Sequence, residues 1–226
     1  MDTARVLRTE FRAALAAGED RVLLLGRRVQ QAVGLAMTSL EAESGELCQQ
    51  ILETDDQVDL DCHQLEHDIF VLMNLQSPMA RDLRLLVGLQ KVLGNIQRIG
   101  DGAVNIARLG ADLVGLGGSS TELLAQMHEL GRRAERAVRT GLDSFGHRRD
   151  TVDSVGAVED QIDLLHDGLT ARLIQHATLG RAQTEWAIRM VLVSRHLERI
   201  GDHAVKIAEE GAFVATGHRP SPVSRH

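Results

Sequence analysis

The chain has 226 residues and a formal net charge of −7, so it is long enough to bury a core and lacks the basic field that nucleic-acid binding favours. Aromatic residues make up only 2% of it, which argues against a β-sandwich or barrel and favours helices. No apolar run approaches the ~20 residues needed to cross a bilayer. We therefore expect a helical protein that neither binds nucleic acid nor inserts into a membrane. Its two cysteines, Cys48 and Cys62, are expected to be reduced, which suits the cytoplasm.

The first half of the chain contains three stripes of apolar residues, spaced alternately by four and three positions. This spacing is typical of amphipathic helices that share a core. A polar break at Glu41 to Gly45 separates the first two stripes, and Ser77 with Pro78 predicts the cap and first turn of a third helix. The stripes run from Phe11 to Ala36, from Ile51 to Leu72 and from Leu86 to Ala107.

The second half repeats this arrangement after a glycine-serine segment at Gly115 to Ser120. Ser119 and Glu122 have the spacing of a capping box, which predicts the start of a fourth helix there. A polar break at His147 to Asp150 ends that helix. The apolar stripes of the second half run from Leu124 to Phe145, from Val155 to Leu173 and from Trp186 to Ile207. Trp186 is expected in the core.

The two halves are also related in sequence, which indicates an internal duplication. Residues 55–60 (DDQVDL) match 159–164 (EDQIDL), and residues 98–107 (RIGDGAVNIA) match 199–208 (RIGDHAVKIA). The spacing between equivalent residues is 104 positions in the first match and 101 in the second, and the change falls in a turn. We predict an all-α fold of two tandem three-helix bundles. Their predicted bounds are 1–114 and 121–217, with a linker at 115–120 and a flexible tail at 218–226.

Pairs of acidic residues, or an acid and its amide analogue, recur four positions apart, so that both members share one helix face. Like charges at this spacing destabilise a helix by roughly 0.2–0.5 kcal/mol unless something offsets them. No Lys or Arg lies between positions 30 and 79, where ten acids are found. The pairs are Asp55/Asp59, Gln97/Asp101, Glu159/Asp163 and Glu198/Asp202.

Two further features favour a metal site over a solvated acidic face. Asp55 and Glu159 occupy positions where the apolar stripe needs a hydrophobic side chain, and a buried carboxylate is costly unless it is paired or coordinated. Gly100 and Gly201 would let neighbouring helices approach closely. Carboxylates without thiolates favour hard or borderline cations. We expect iron or manganese first, with magnesium, calcium, zinc and nickel as alternatives.

The acid pairs, the segment RIGDHA at 199–204 and the segment QSPMARDLR at 76–84 resemble the PhoU family of phosphate-uptake regulators. The resemblance implies a non-enzymatic, metal-binding adaptor with an iron-type cluster in each bundle. It also implies negative control of the phosphate-starvation response, by linking a phosphate-specific ABC transporter to a membrane sensor histidine kinase. A homodimer is expected as well.

The two halves fit that pattern unequally. Gln97 stands where an acid is expected, and Gly102 where the second half has His203, so the N-terminal metal site is expected to be depleted or empty. The metal-binding acids carried over from the family are Asp55, Asp59 and Asp101 in the first half, and Glu159, Asp163, Glu198 and Asp202 in the second.

Two enzymatic alternatives and one binding alternative remain open at this stage. His63, Glu66 and His67 fit the inverted zinc-protease string HxxEH. A ferritin-like di-iron oxidase also uses helical carboxylates, but it needs Glu-x-x-His twice, which this chain lacks. The four arginines of the fourth helix could dock phosphate or an acidic partner, although a face of this kind is usually solvated; they are Arg132, Arg133, Arg136 and Arg139.

Overall fold

Six helices form the fold of the described residues, which are 3–42, 45–76, 78 and 80–219 of a computed structural model. The helices are α1 (Thr3–Ala42), α2 (Gly45–Gln76), α3 (Arg81–Ala111), α4 (Thr121–His147), α5 (Val152–Ala177) and α6 (Arg181–Thr216). No strand occurs in these ranges, and none of the described helices is long and apolar enough to span a membrane. The predicted all-α fold of two three-helix sets is confirmed.

Two helix starts differ from the predictions. Helix α3 begins at Arg81, because Ala80 before it has a φ of 53° that no α-helical residue adopts. Pro78 therefore lies outside the helix, and Ser77, its predicted cap, lies outside the described residues. Helix α4 is capped by Ser120, whose hydroxyl accepts a hydrogen bond from the Leu123 N–H at 3.4 Å, so Ser119 is not the cap. Most of the predicted tail, residues 220–226, also lies outside the described part.

The two halves pack against each other through equivalent helices. Within each half the three helices contact one another, and between the halves α1 packs on α4 while α3 packs on α6. In the described ranges α2 and α5 contact only helices of their own half. Each contact between the halves joins a helix to its own equivalent in the other half. This is the contact pattern of two halves related by an approximate two-fold axis. The buried side chains of all six helices form one continuous core.

The junction of α3, α4 and α6 is especially tight. A Cβ atom on Gly141 of α4 would lie 2.6 Å from the Ala204 carbonyl oxygen of α6, and one on Gly211 of α6 would lie 2.9 Å from the Phe145 Cα atom. Both positions therefore need glycine. The Phe145 ring reaches across to α3, where a Cβ atom on Gly88 would lie 3.4 Å from it. Phe145 thus joins the two halves at this junction.

The predicted core position of Trp186 is confirmed. Trp186 is buried, and its ring meets the His176 ring edge-on with 5.4 Å between the centroids. Cys48 and Cys62 both lie on α2 and are free thiols. Burial raises the pKa of the Cys62 thiol to about 12, with the charge of Asp59 adding to the effect. Cys62 is therefore a small core residue with no reactive thiolate at neutral pH.

Candidate metal centre

The acids of the second half face each other across α5 and α6. Glu159 and Asp163 lie on α5, and Glu198 and Asp202 lie on α6. Gly201 allows the close approach of the two helices, because a Cβ atom there would lie 3.0 Å from Ile162 Cδ1 and 3.8 Å from Glu159 Cγ. Glu159 is only 4% exposed, as its position in the apolar stripe predicts.

Two carboxylate oxygens of this group are buried without a hydrogen-bond partner. They are Asp163 Oδ1 and Glu198 Oε2, while Glu198 Oε1 accepts a hydrogen bond from Arg195 Nη1 at 2.8 Å. Burial raises the pKa of both carboxyl groups, and the negative charge of Asp202 raises each further. A buried oxygen without a partner costs free energy. A hard cation would supply the missing partner, so this donor set fits such an ion.

The acids of the first half are arranged similarly but are partly satisfied already. The Asp55 carboxylate fills the space that a side chain at Gly100 would take. Burial, followed by the charges of Asp59 and Asp101, raises the pKa of Asp55 to about 6. Gln97 Nε2 donates a hydrogen bond to Asp59 Oδ1 at 3.3 Å. The amide therefore acts here as a donor, where the second half has the carboxylate of Glu198.

The structure thus brings the predicted acids into two groups, one in each half. Within the described ranges, however, no three Asp, Glu, His or Cys side chains converge as the ligands of one ion would. Raised carboxyl pKa values occur in both groups, so it is the two orphaned oxygens that mark the α5–α6 group as the stronger candidate. Metal binding by either group stays a prediction.

The histidines of the alternative motifs have other neighbours. His63 Nδ1 lies 2.8 Å from the carbonyl oxygen of Asp59 on its own helix. His67 lines a mainly apolar cavity of about 600 Å³ between α1, α2 and α3. His166 Nδ1 lies 3.1 Å from Ser194 Oγ. These contacts give no support to a zinc-protease or di-iron arrangement.

The arginines of α4 have acidic neighbours on the same helix. Arg132 Nη2 and Arg133 Nε donate to the two oxygens of Glu129 at 2.8 and 2.9 Å. Arg133 also donates to Gln161 of α5. Arg132 and Arg133 thus share one carboxylate, which offsets part of the positive charge of this surface.

One polar cluster, at the contact between α3 and α6, was not predicted from the sequence. His203 Nδ1 lies 2.9 Å from Asn95 Oδ1 of α3. Burial lowers the pKa of His203 to about 4, and Lys206, Arg199 and Arg98 lower it further against the opposing effect of Asp202. The internal duplication could have indicated this cluster, because the two halves differ there. At a spacing of 101 positions Asn95 is equivalent to His196, and Gly102 to His203.

Comparison with known proteins gives concordant matches over both halves. Residues 22–110 and 127–211 each match the PhoU domain. A phosphate-specific transport system accessory protein PhoU homolog of Pseudomonas putida is 30% identical over 92% of this chain and 81% of its own length. The homolog of Deinococcus radiodurans is 27% identical over 94% and 100%. A crystal structure of PhoU from Pseudomonas aeruginosa superposes with a TM-score of 0.87 and 27% identity, covering 92% of this chain and 100% of its own.

Proposed function

This chain belongs to the PhoU family, and from that premise we propose that it is a regulatory adaptor of a phosphate-specific transport system. One observation carries the proposal: both halves match the PhoU domain, and relatives aligned over most of their length are accessory proteins of such a system. The adaptor is not an enzyme. It limits phosphate uptake and the starvation response by linking the phosphate ABC transporter to a membrane sensor histidine kinase.

We further propose that the adaptor works in the cytoplasm and as a homodimer. The free thiols of Cys48 and Cys62 suit a reducing compartment. Light scattering coupled to size-exclusion chromatography measures the dimer.

The acids between α5 and α6 are proposed to bind a metal cluster, with iron first and manganese, magnesium, zinc or nickel as alternatives. The orphaned oxygens of Asp163 and Glu198 support this assignment, and Glu159 and Asp202 lie in the same group. When bound, the metal supplies positive charge that offsets the repulsion between these carboxylates. Glu159 and Asp163 hold the α5 side and Glu198 and Asp202 the α6 side, so α6 is fixed in position as part of a docking face.

The first half is proposed to bind metal more weakly. Asp55, Asp59 and Asp101 supply three carboxylates, but Gln97 donates to Asp59 and would have to turn away for that oxygen to bind an ion. A neutral amide is also a weaker ligand for a hard cation than a carboxylate. The two halves should therefore differ in metal affinity.

Replacing Glu198 and Asp202 together by Ala should remove more metal than Asp101→Ala. The double variant removes two ligands of the stronger site, whereas Asp101→Ala weakens a site that is already depleted. Elemental analysis of untagged protein purified without chelator measures both losses. Asp143 is an exposed acid on α4, so Asp143→Ala is the control and should retain the wild-type metal content.

Equal losses of metal in the variants of the two halves would contradict the proposed asymmetry. Wild-type protein that contains no metal and shows no thermal shift on adding one would contradict the site itself.

Deleting the gene should derepress phosphate-starvation genes and phosphate uptake in phosphate-rich medium, because the link between transporter and kinase is lost. Reporter expression and uptake of labelled phosphate measure the effect, and a plasmid copy of the wild-type gene should restore repression. Cross-linking in cells should capture a transporter subunit and the kinase. Normal repression in the deletion strain would reject the proposed regulation.

A further inference from the structure

A polar cavity of about 330 Å³ lies between α3 and α6, at the contact between the two halves. Arg98 and Arg199, which occupy equivalent positions in the duplicated segment RIGD, both line it. The cavity therefore places one guanidinium group from each half around a common space. Its other lining residues are Asp101, Gly102, Asn105, His196, Ile200 and His203.

The two halves differ at the residues that line this cavity. His203 of α6 packs against Asn95 of α3, with 2.9 Å between Nδ1 and Oδ1. The equivalent pair is Gly102 and His196, and both line the cavity. Residue 102 has no side chain, whereas its equivalent in the second half carries the imidazole that packs on α3. A Cβ atom on Gly102 would lie 3.0 Å from Ile200 Cγ1, so the Ile200 side chain packs against the Gly102 backbone.

The charge around this cavity is mainly positive. Arg98 and Arg199 each carry a positive charge, and Lys206 lies near enough to lower the pKa of His203 as they do. Asp101 is the carboxylate of the lining, and its Oδ2 lies 3.9 Å from Arg98 Nη1, beyond hydrogen-bond distance. The Arg98 side chain is 64% exposed, so its donors can turn towards a ligand. Asp202 is the opposing acid near His203.

We propose that this cavity binds hydrogen phosphate. Two guanidinium groups on opposite helices can each donate a pair of parallel hydrogen bonds to one tetrahedral oxyanion. Asn105 adds an amide donor. The Asp101 carboxylate can accept a hydrogen bond from the P–OH group of hydrogen phosphate. Sulfate has no such donor at neutral pH, so Asp101 favours phosphate over sulfate. At ~30 Å³ for each water molecule, the cavity holds the anion together with several waters.

The proposed phosphate site shares Asp101 with the acid group of the first half but needs no metal ion. It should therefore be measured on the full chain after chelator treatment and dialysis, by calorimetric titration with inorganic phosphate. We expect saturable binding of one phosphate per chain. Arg98→Gln and Arg199→Gln should each weaken it at least about tenfold, since each removes a charged bidentate donor. Arg181→Gln removes the same charge from a 93% exposed side chain at the start of α6 and should bind phosphate as the wild type does.

Titration with sulfate distinguishes a site specific for phosphate from a site that binds any anion. Wild-type protein should bind sulfate at least about tenfold more weakly than phosphate, and Asp101→Asn should remove this preference, because an amide can donate to an unprotonated oxyanion. Circular dichroism and thermal melting confirm that the variants are folded.

Four results would overturn the proposal. They are the absence of saturable phosphate binding, equal weakening by Arg181→Gln, equal wild-type affinity for sulfate, and phosphate binding that appears only after metal is added. The last result would place the anion on metal held by the acid groups. None of the four bears on the proposed regulation of phosphate transport, which the deletion strain tests separately.

Discussion

Replacing Phe145 by Ala should lower the free energy of unfolding by about 3–5 kcal/mol, the usual cost of emptying a large buried aromatic site. Phe145 is 1% exposed and packs where α3, α4 and α6 meet. The surrounding backbones are held close by Gly141 and Gly211, so they cannot move inwards to fill the cavity. Urea unfolding followed by circular dichroism measures the change.

Phe70→Ala is the matched control for this substitution, because Phe70 is 59% exposed on α2. Its effect should stay within about 0.5 kcal/mol, as is usual for surface positions. Both halves share the Phe145 junction, so Phe145→Ala should shift one common transition and leave no half folded alone. Two separate transitions, or a loss no larger than that of the control, would show that the junction contributes little to stability.

Asp55→Asn should stabilise the metal-free protein at pH 7.5 by about 1–2 kcal/mol. The Asp55 pKa rises from its usual 3.8 to about 6 through burial and the charges of Asp59 and Asp101. At full effect that rise corresponds to about 3 kcal/mol, and water around a half-buried carboxyl group screens part of it. An amide at this position carries no charge to bury, so the penalty disappears.

The stabilisation by Asp55→Asn should depend on pH. A carboxyl group whose pKa is raised by folding holds its proton more tightly in the folded state. The folded state therefore loses stability as the pH rises from about 4 to about 6. The difference between Asp55→Asn and wild type should be small near pH 3.5 and reach its full value above pH 6.5. His203, whose pKa is lowered to about 4, contributes in the opposite direction in both proteins and cancels in the difference.

Urea unfolding with chelator present, at several pH values, measures this difference. Asp56→Asn is the control, because Asp56 is the exposed neighbour of Asp55 on the same helix and its replacement should change stability by no more than about 0.5 kcal/mol. A variant less stable than wild type at pH 7.5 would indicate that Asp55 makes a favourable interaction that outweighs its burial. Equal stabilisation by Asp56→Asn would point to general charge repulsion on α2.

Most of the fold could be predicted from the sequence, because each helix has a long apolar stripe and the duplication repeats the whole set. The start of α3 could not. It depends on the left-handed backbone of Ala80, and alanine gives no sign of adopting it. The contacts of α1 with α4 and of α3 with α6 could not be predicted either. Apolar periodicity identifies the buried face of a helix but not the helix that packs against it.

The placement of the predicted acids in two groups could be anticipated from the sequence, whereas metal binding by them stays a prediction. The apolar position of Glu159 and the glycines at 100 and 201 correctly indicated acids held between closely packed helices. The hydrogen bond from Gln97 to Asp59 was not foreseen, because a metal-site reading treats Gln97 only as a weak ligand and overlooks its amide as a donor. The cavity beside Gly102 was missed because it needs residues of both halves at once.

The pairing of α1 with α4 and of α3 with α6 is the arrangement of a two-fold symmetric dimer whose subunits have been joined into one polypeptide. In such a dimer every substitution appears twice, so a residue changed for one purpose is changed in both copies. Gene fusion removes that constraint. Gln97 and Gly102 could then diverge from Glu198 and His203 while the shared core stayed intact. One ancestral surface has thus become free to evolve two specialised forms.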